Sequence, residues 1–197
     1  MTASRKGGIV VTATSETIAE WTLRELVDRM RRPRYRCGGG VAACIAVAQA
    51  AALADLVRRA AQRAIDPALS AELSAAFAET IDRALTQANR DRSVLHQLLD
   101  TLRHNSVAEQ SVVEQATIVP LETADLGLQL LEKLAHLAPQ VPAFAASDLE
   151  AAKALARAAI QAALAMARAN LPLLPADRAS QLSEEITTRF AKLDAAA

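Results

Sequence analysis

Three stretches of the chain carry residue types whose spacing could do chemistry. In Arg36-Cys37-Gly38-Gly39-Gly40-Val41-Ala42-Ala43-Cys44, half of the six glycines stand directly before a run of alanine and aliphatic residues. Glycines ahead of a helix leave backbone N–H groups free to face an anion or a polar ring, and their missing side chains let that ligand come close. The same three residues equally make a tight turn that lets two helices pack closely. In "NRDRSVLHQ", Asp91 lies between Arg90 and Arg92, which suits a solvated charge with helical ion pairs. Ser147 and Asp148 open an apolar run and can satisfy early helix amides, while Asn170 before Leu171-Pro172 reads as a helix stop.

Other chemistries find less support. His96, His104 and His136 lack the ligand spacing of a metal site; His96 and Asp100 make a surface pair, and no metal is expected. "GGGVAAC" is followed by no Lys-Ser/Thr and preceded by no strand, so neither nucleotide-binding glycine motif fits. Lys plus Arg equals Asp plus Glu at 22 each, which leaves no electrostatic footprint for nucleic acid. The cluster Arg29, Arg31, Arg32, Arg34 and Arg36 is either an anion patch or a solvated helix end. Cys37 and Cys44 straddle a helix start, a poor place for a disulfide, and a reduced cytoplasmic location is the default.

The elements that position these residues are helices. The 52% apolar content is mostly alanine, with only 3% aromatic residues, so the core must come from close backbone approach around small side chains. No window alternates apolar and polar residues. The expectation is an all-α fold, an antiparallel bundle of long helices, with residues 1–14 as a disordered leader without a cleavable signal and 15–197 as a single domain.

Thr22-Leu23-Arg24-Glu25 has capping-box spacing and opens a short helix limited by Pro33. Further helices are expected from about Val41 to Ala64, from Ala68 to Thr101, and from about Val112 to Leu137 with a kink at Pro120. A loop at 138–143 and a break at His104-Asn105-Ser106 separate them from their neighbours. Ser147-Asp148-Leu149-Glu150 offers a capping box for a helix to Asn170, and a last helix spans about Pro175 to Leu193. Val41 to Val57 is the most apolar window, yet short of the roughly 20 residues that span a bilayer, so it reads as a buried helix and no membrane partner is expected.

The order of segments adds a further reading. "TLRELVDRM…CGGGVAACIAVAQAAALADLV", "EQATIVPLETADLGLQLLEKL", "AFAASDLEAAKALARAAIQAAL" and "ARANLPLL", from Thr22 to Leu174, together resemble the formiminotransferase-cyclodeaminase C-terminal family, which includes methenyltetrahydrofolate cyclohydrolases. The resemblance implies a helical homodimer with a tetrahydrofolate derivative in a cleft near the subunit interface and no further cofactor. The chemistry it implies is ammonia loss from a formimino group or hydrolysis of a methenyl bridge. Asp91 matches the family's carboxylate on the long third helix, a general acid-base. Gly38, Gly39 and Gly40 match its glycine turn, Ser147 and Asp148 its Ser-Asp pair, and Asn170 its Asn-Leu ending, all as ligand-binding residues.

Four places depart from the family pattern. Val41 replaces a serine, Ala61-Gln62-Arg63-Ala64-Ile65 replaces a Thr-x-Gly-Lys-Lys stretch, Asp91-Arg92-Ser93-Val94-Leu95 replaces Asp-x-x-Ala-Phe, and Met166 replaces a second asparagine. They leave open an alternative: a non-enzymatic relative that keeps the helical dimer and binds another ligand or a protein.

Overall fold

A computed structural model describes residues 17–33, 37–104 and 109–196. Six helices carry almost all of them: α1 (Leu23–Met30), α2 (Gly39–Ala60), α3 (Pro67–His104), α4 (Gln110–Leu137), α5 (Ala146–Asn170) and α6 (Ala176–Ala195). Among the described residues there is no strand. The expected leader, 1–14, lies outside them, as do Arg34, Arg36 and the break at 105–106.

The helix ends follow local chemistry, with some differences from expectation. Thr22 caps α1 as its spacing predicts: its hydroxyl accepts from the Glu25 amide at 3.2 Å, and the Glu25 carboxylate accepts from the Thr22 amide at 2.8 Å. α2 begins two residues earlier than expected, at Gly39, and ends at Ala60, where turns take over. α3 runs from Pro67 to His104, with Asp66 Oδ1 accepting from the amides of Ala68 and Leu69. At 138–145 two short 3-10 turns, Ala138–Gln140 and Ala143–Ala145, stand where a plain loop is expected. The Ser147 capping box is corrected: α5 starts at Ala146 behind Ala145, which has no side-chain oxygen, so Ser147 already lies inside the first turn.

Helices α2 to α5 form an antiparallel four-helix bundle in which α2 packs on α3 and α5, and α4 closes the ring between them. Alanine makes this possible: Ala43, Ala50, Ala51 and Ala54 of α2 and Ala152, Ala156, Ala159 and Ala163 of α5 are all buried. Larger side chains fill the interior, led by Phe77, Leu130, Leu134, Leu137, Ile160 and Leu164, each stabilising the fold by about 1.5–3 kcal/mol through burial. Helix α6 lies along α4 and α5. Arg189 grips Asp125 with two 2.8 Å hydrogen bonds and Arg178 reaches Glu114 at 2.7 Å.

A second, smaller apolar cluster sits outside the bundle. The 3-10 turn Ile18–Glu20 and α1 bring Ile18, Trp21 and Leu26 onto Cys37, Val41, Cys44 and Ala88, covering the start of α2 on its α3 side. Ile18 is tied down further by its amide, which donates to Asn89 Oδ1 at 2.9 Å. Both cysteines are buried and free, as their spacing predicts. Burial holds the Cys44 thiol up to about 12, against the opposing hydrogen bond to Thr123.

Candidate active site

The centre of the site is the contact between α3 and the first turn of α2. A Cβ added to Gly40 would lie 2.1 Å from Asp91 Oδ1 and 2.4 Å from its Cγ, so the Asp91 carboxyl packs directly on the Gly40 backbone. Only glycine leaves room for it. From there the carboxyl accepts a hydrogen bond from the Val41 amide, one of the orphan donors at the start of α2. The expected turn of three glycines is therefore a helix start: Gly38 is the residue before the first turn, with extended backbone, while Gly39 and Gly40 are helical. Gly39 adjoins Met166, whose Cε would lie 3.1 Å from an added Cβ, and Gly38 adjoins Leu95 at an ordinary 3.7 Å.

Asp91 is not the solvated, ion-paired residue that its neighbours suggest. Arg90 turns outward to Glu122 and to Gln115 Oε1, and Arg92 stacks over the Trp21 ring at 5.0 Å, with Arg29 over the same ring at 4.0 Å. With both flanking cations committed elsewhere, burial dominates. It pushes the Asp91 carboxyl up to about 6 from its ordinary 3.8, against the lowering effect of the Val41 amide.

Asp91 opens onto a pocket of about 170 Å³ lined otherwise by Val94, Leu95, Leu98, Ala116, Pro120, Met166, Ala169 and Asn170. Asp91 and Asn170 are the two polar lining residues. Pro120 explains where Asn170 points. α4 continues through Pro120 as helix, but the proline has no amide to give the Ala116 carbonyl, and Asn170 Nδ2 supplies the missing donor at 2.8 Å. One turn on, the buried Val119 carbonyl also accepts from Gln87 Nε2 at 2.9 Å and Thr123 Oγ1 at 3.1 Å. The wall of the pocket is thus built by repairing a proline inside a helix.

The structure brings Asp91, Gly38, Gly39, Gly40 and Asn170 together at one end of the bundle. Ser147 and Asp148 are elsewhere: they occupy the first turn of α5, whereas Asn170 is its last residue, about 33–35 Å away at 1.5 Å per residue. Within one subunit they do not share the pocket. The apolar lining at Val94, Leu95 and Leu98 was not singled out by sequence, although a signal existed. Asp91 falls in register with the buried stripe Phe77, Thr80, Ala84, Gln87, Val94 and Leu98 of α3, so it is a carboxylate on a core-facing line.

The departures from the family pattern now have places. The Val41 side chain is fully buried in the small apolar cluster, while its backbone amide serves Asp91. Met166 lines the pocket and makes it more apolar than an asparagine would. Residues 61–65 follow the far end of α2, remote from Asp91. Among the described residues no three His, Cys, Asp or Glu side chains come together in a way that could hold a metal ion.

The pattern of the formiminotransferase-cyclodeaminase family matches residues 22–188 of this chain. The chain belongs to that family. The fold agrees: the formiminotetrahydrofolate cyclodeaminase of Thermotoga maritima superposes with a TM-score of 0.81 over 91% of this chain and 93% of that one, at 20% sequence identity. No curated protein sequence matches the chain.

Proposed function

We propose that the protein acts in folate one-carbon metabolism, as a homodimeric cyclodeaminase or cyclohydrolase working on the formimino or methenyl group of a tetrahydrofolate derivative. The observation that carries this reading is Asp91: a desolvated carboxyl titrating near neutrality, held by one helix amide and facing an apolar pocket in a member of this family. A group with such a pKa can both give and take a proton at physiological pH. In cyclodeamination, the second folate nitrogen attacks the formimino carbon, and a proton from the Asp91 carboxyl leaves with ammonia. In hydrolysis, the Asp91 carboxylate takes a proton from the water that attacks the bridging carbon, and one ring C–N bond opens. The methenyl bridge is a cationic amidinium, which complements an ionised Asp91 among apolar walls.

The pocket suits a ring system rather than a whole folate, since ligand sites typically occupy roughly 300–1,000 Å³. The rest of the ligand would extend past Gly38, Gly39 and Asn170. The test is to mix purified protein with methenyl-tetrahydrofolate and follow loss of its absorbance. Acceleration over buffer that disappears in Asp91→Asn supports the reading, and no acceleration contradicts it. The apolar Met166 favours a second reading, a binding module. Saturable thermal stabilisation by folates without turnover would select it.

A further inference from the structure

Trp21 is a larger and more polar residue than its place in the core requires. It is 9% exposed and packs in the small apolar cluster with Ile18, Leu26, Val41 and Ala88. Its indole Nε1 is buried and has no hydrogen-bond partner among the described residues. A buried N–H left unpaired is costly, and a leucine would fill much of the space without one. What the indole supplies instead is the ring face that attracts a cation most strongly.

Two guanidinium groups use that ring. Arg29 of α1 stands 4.0 Å from its centre and Arg92 of α3 stands 5.0 Å from it. Arg92 Nε is itself buried without a hydrogen-bond partner among the described residues, so the ring is the contact that Arg92 rests on. Arg92 directly follows Asp91, and one thiol reports on both: burial raises Cys37, and the charges of Arg92, Asp91 and Arg29 all reach it. The two charges therefore share a neighbourhood without sharing a bond. Burial raises the Asp91 carboxyl, and what opposes it is the Val41 amide, not a cation. Successive residues of a helix point roughly 100° apart at 3.6 residues per turn, within the swing of a long arginine stem.

The other elements around Asp91 bring it no counter-ion. α2 carries no charged residue from Gly39 to Ala54, and its Cys44 is a thiol raised by burial. α4 and α5 face the carboxyl with Ala116, Pro120, Met166 and Asn170, while Arg168 near the end of α5 stacks over Phe190. On α3, Arg90 is committed to Glu122 and Gln115.

We propose that Trp21 is a positioning residue for Asp91: its ring holds the Arg92 guanidinium away from the carboxyl, which then meets its pocket without a counter-ion. Trp21 acts through Arg92 and touches no ligand. A carboxylate given back an adjacent guanidinium titrates lower, and at neutral pH it has no proton to give. That consequence for catalysis rests on the folate reading; the hold of Trp21 on Arg92 does not.

The test follows the Asp91 carboxyl in the full chain by carbon-13 NMR, its signal assigned by its absence from Asp91→Asn. Wild type should titrate near pH 6. In Trp21→Leu the midpoint should fall to between about 3 and 5, with helical circular dichroism unchanged. Trp21→Phe, which keeps a ring face, should stay close to wild type. The double variant, Trp21→Leu with Arg92→Leu, should return to about 6, because no guanidinium is left at position 92 to swing across. A midpoint that Trp21→Leu leaves unmoved overturns the proposal. So does a fall that persists without Arg92, which would assign the effect to water entering beside residue 21. Arg92→Lys keeps the charge but loses the planar group that stacks, so its midpoint should fall too, and it decides the matter if Trp21→Leu does not fold. The pH break of methenyl-tetrahydrofolate turnover should move with the NMR midpoint. Midpoints that move as stated in a protein without turnover would sink the functional reading and leave the role of Trp21 standing; a turnover break near pH 6 that Trp21→Leu leaves in place would do the reverse.

Discussion

Two aspartates at opposite ends of α2 meet opposite fates. Asp55, in the last turns of the helix, is held by Arg58 at 2.7 Å and Arg59 at 2.8 Å, while Arg58 also donates to Ser70 at 2.8 Å. Burial works to raise the Asp55 carboxyl, but the two guanidinium hydrogen bonds outweigh it and hold the group below the usual carboxylate range. Asp91, reaching the first turn of α2 from α3, has comparable cations beside it in sequence, yet they face Glu122 and Trp21 instead. It keeps one backbone amide and pays the cost of burial. The first arrangement fixes a helix end; the second stores a proton near neutral pH. Pairing, and not burial alone, separates a lowered carboxylate from a raised one.

Exchanging the carboxylates for amides breaks the comparison most sharply. Asp91→Asn retains an oxygen for the Val41 amide but loses the proton, so turnover of methenyl-tetrahydrofolate should fall by about 10²–10⁴-fold. Asp55→Asn should leave turnover unchanged. Stability should move the other way.

A carboxyl raised in the folded state binds its proton more tightly there than in the unfolded chain. Wild type therefore loses stability as pH rises from about 4 through about 6, and the loss is complete above that. Asp91→Asn should accordingly be more stable than wild type at pH 7.5, by on the order of 2 kcal/mol, and the gap should close by pH 4 in thermal melts. Asp55→Asn should be less stable than wild type at pH 7.5. Its deficit should vanish on acidification below the ordinary carboxylate range, because the contribution of a lowered carboxyl is lost there.

Gly40→Ala comes next in size. Its methyl must displace the Asp91 carboxyl, at a cost of about 1–3 kcal/mol of overpacking, and turnover should drop with it. Gly38→Ala, with ordinary contact distances, should change neither by much. The repair at the proline acts on stability alone. Asn170→Ala should cost about 1–3 kcal/mol by leaving the Ala116 carbonyl unpaired. In a Pro120→Ala background, where residue 120 regains its amide, that cost should shrink, and a double-mutant cycle from urea melts would show the coupling.

Much of this was legible from residue order. The alanine bias announced a bundle of close helices, Thr22 with Glu25 announced the start of α1, and the ordered segments announced the family before any contact was known. What stayed hidden was long-range. That Gly40 and Asp91, 51 positions apart, occupy one space follows only from how α2 and α3 pack, and the pairing of Asn170 with Pro120 follows only from α5 returning beside α4. Ser147 misled because a capping box is a local pattern. The 3-10 turn at 143–145 had already set the helix going at Ala146 without it.

The central claim is that Asp91 is the proton-transfer group of a folate site. The most direct test is the pH profile of methenyl-tetrahydrofolate turnover, wild type against Asp91→Asn. The account predicts a wild-type rate with a break near pH 6 and an Asp91→Asn rate that is small and flat across it. A wild-type profile without a break there, or an Asp91→Asn enzyme that turns over at the wild-type rate, would contradict it.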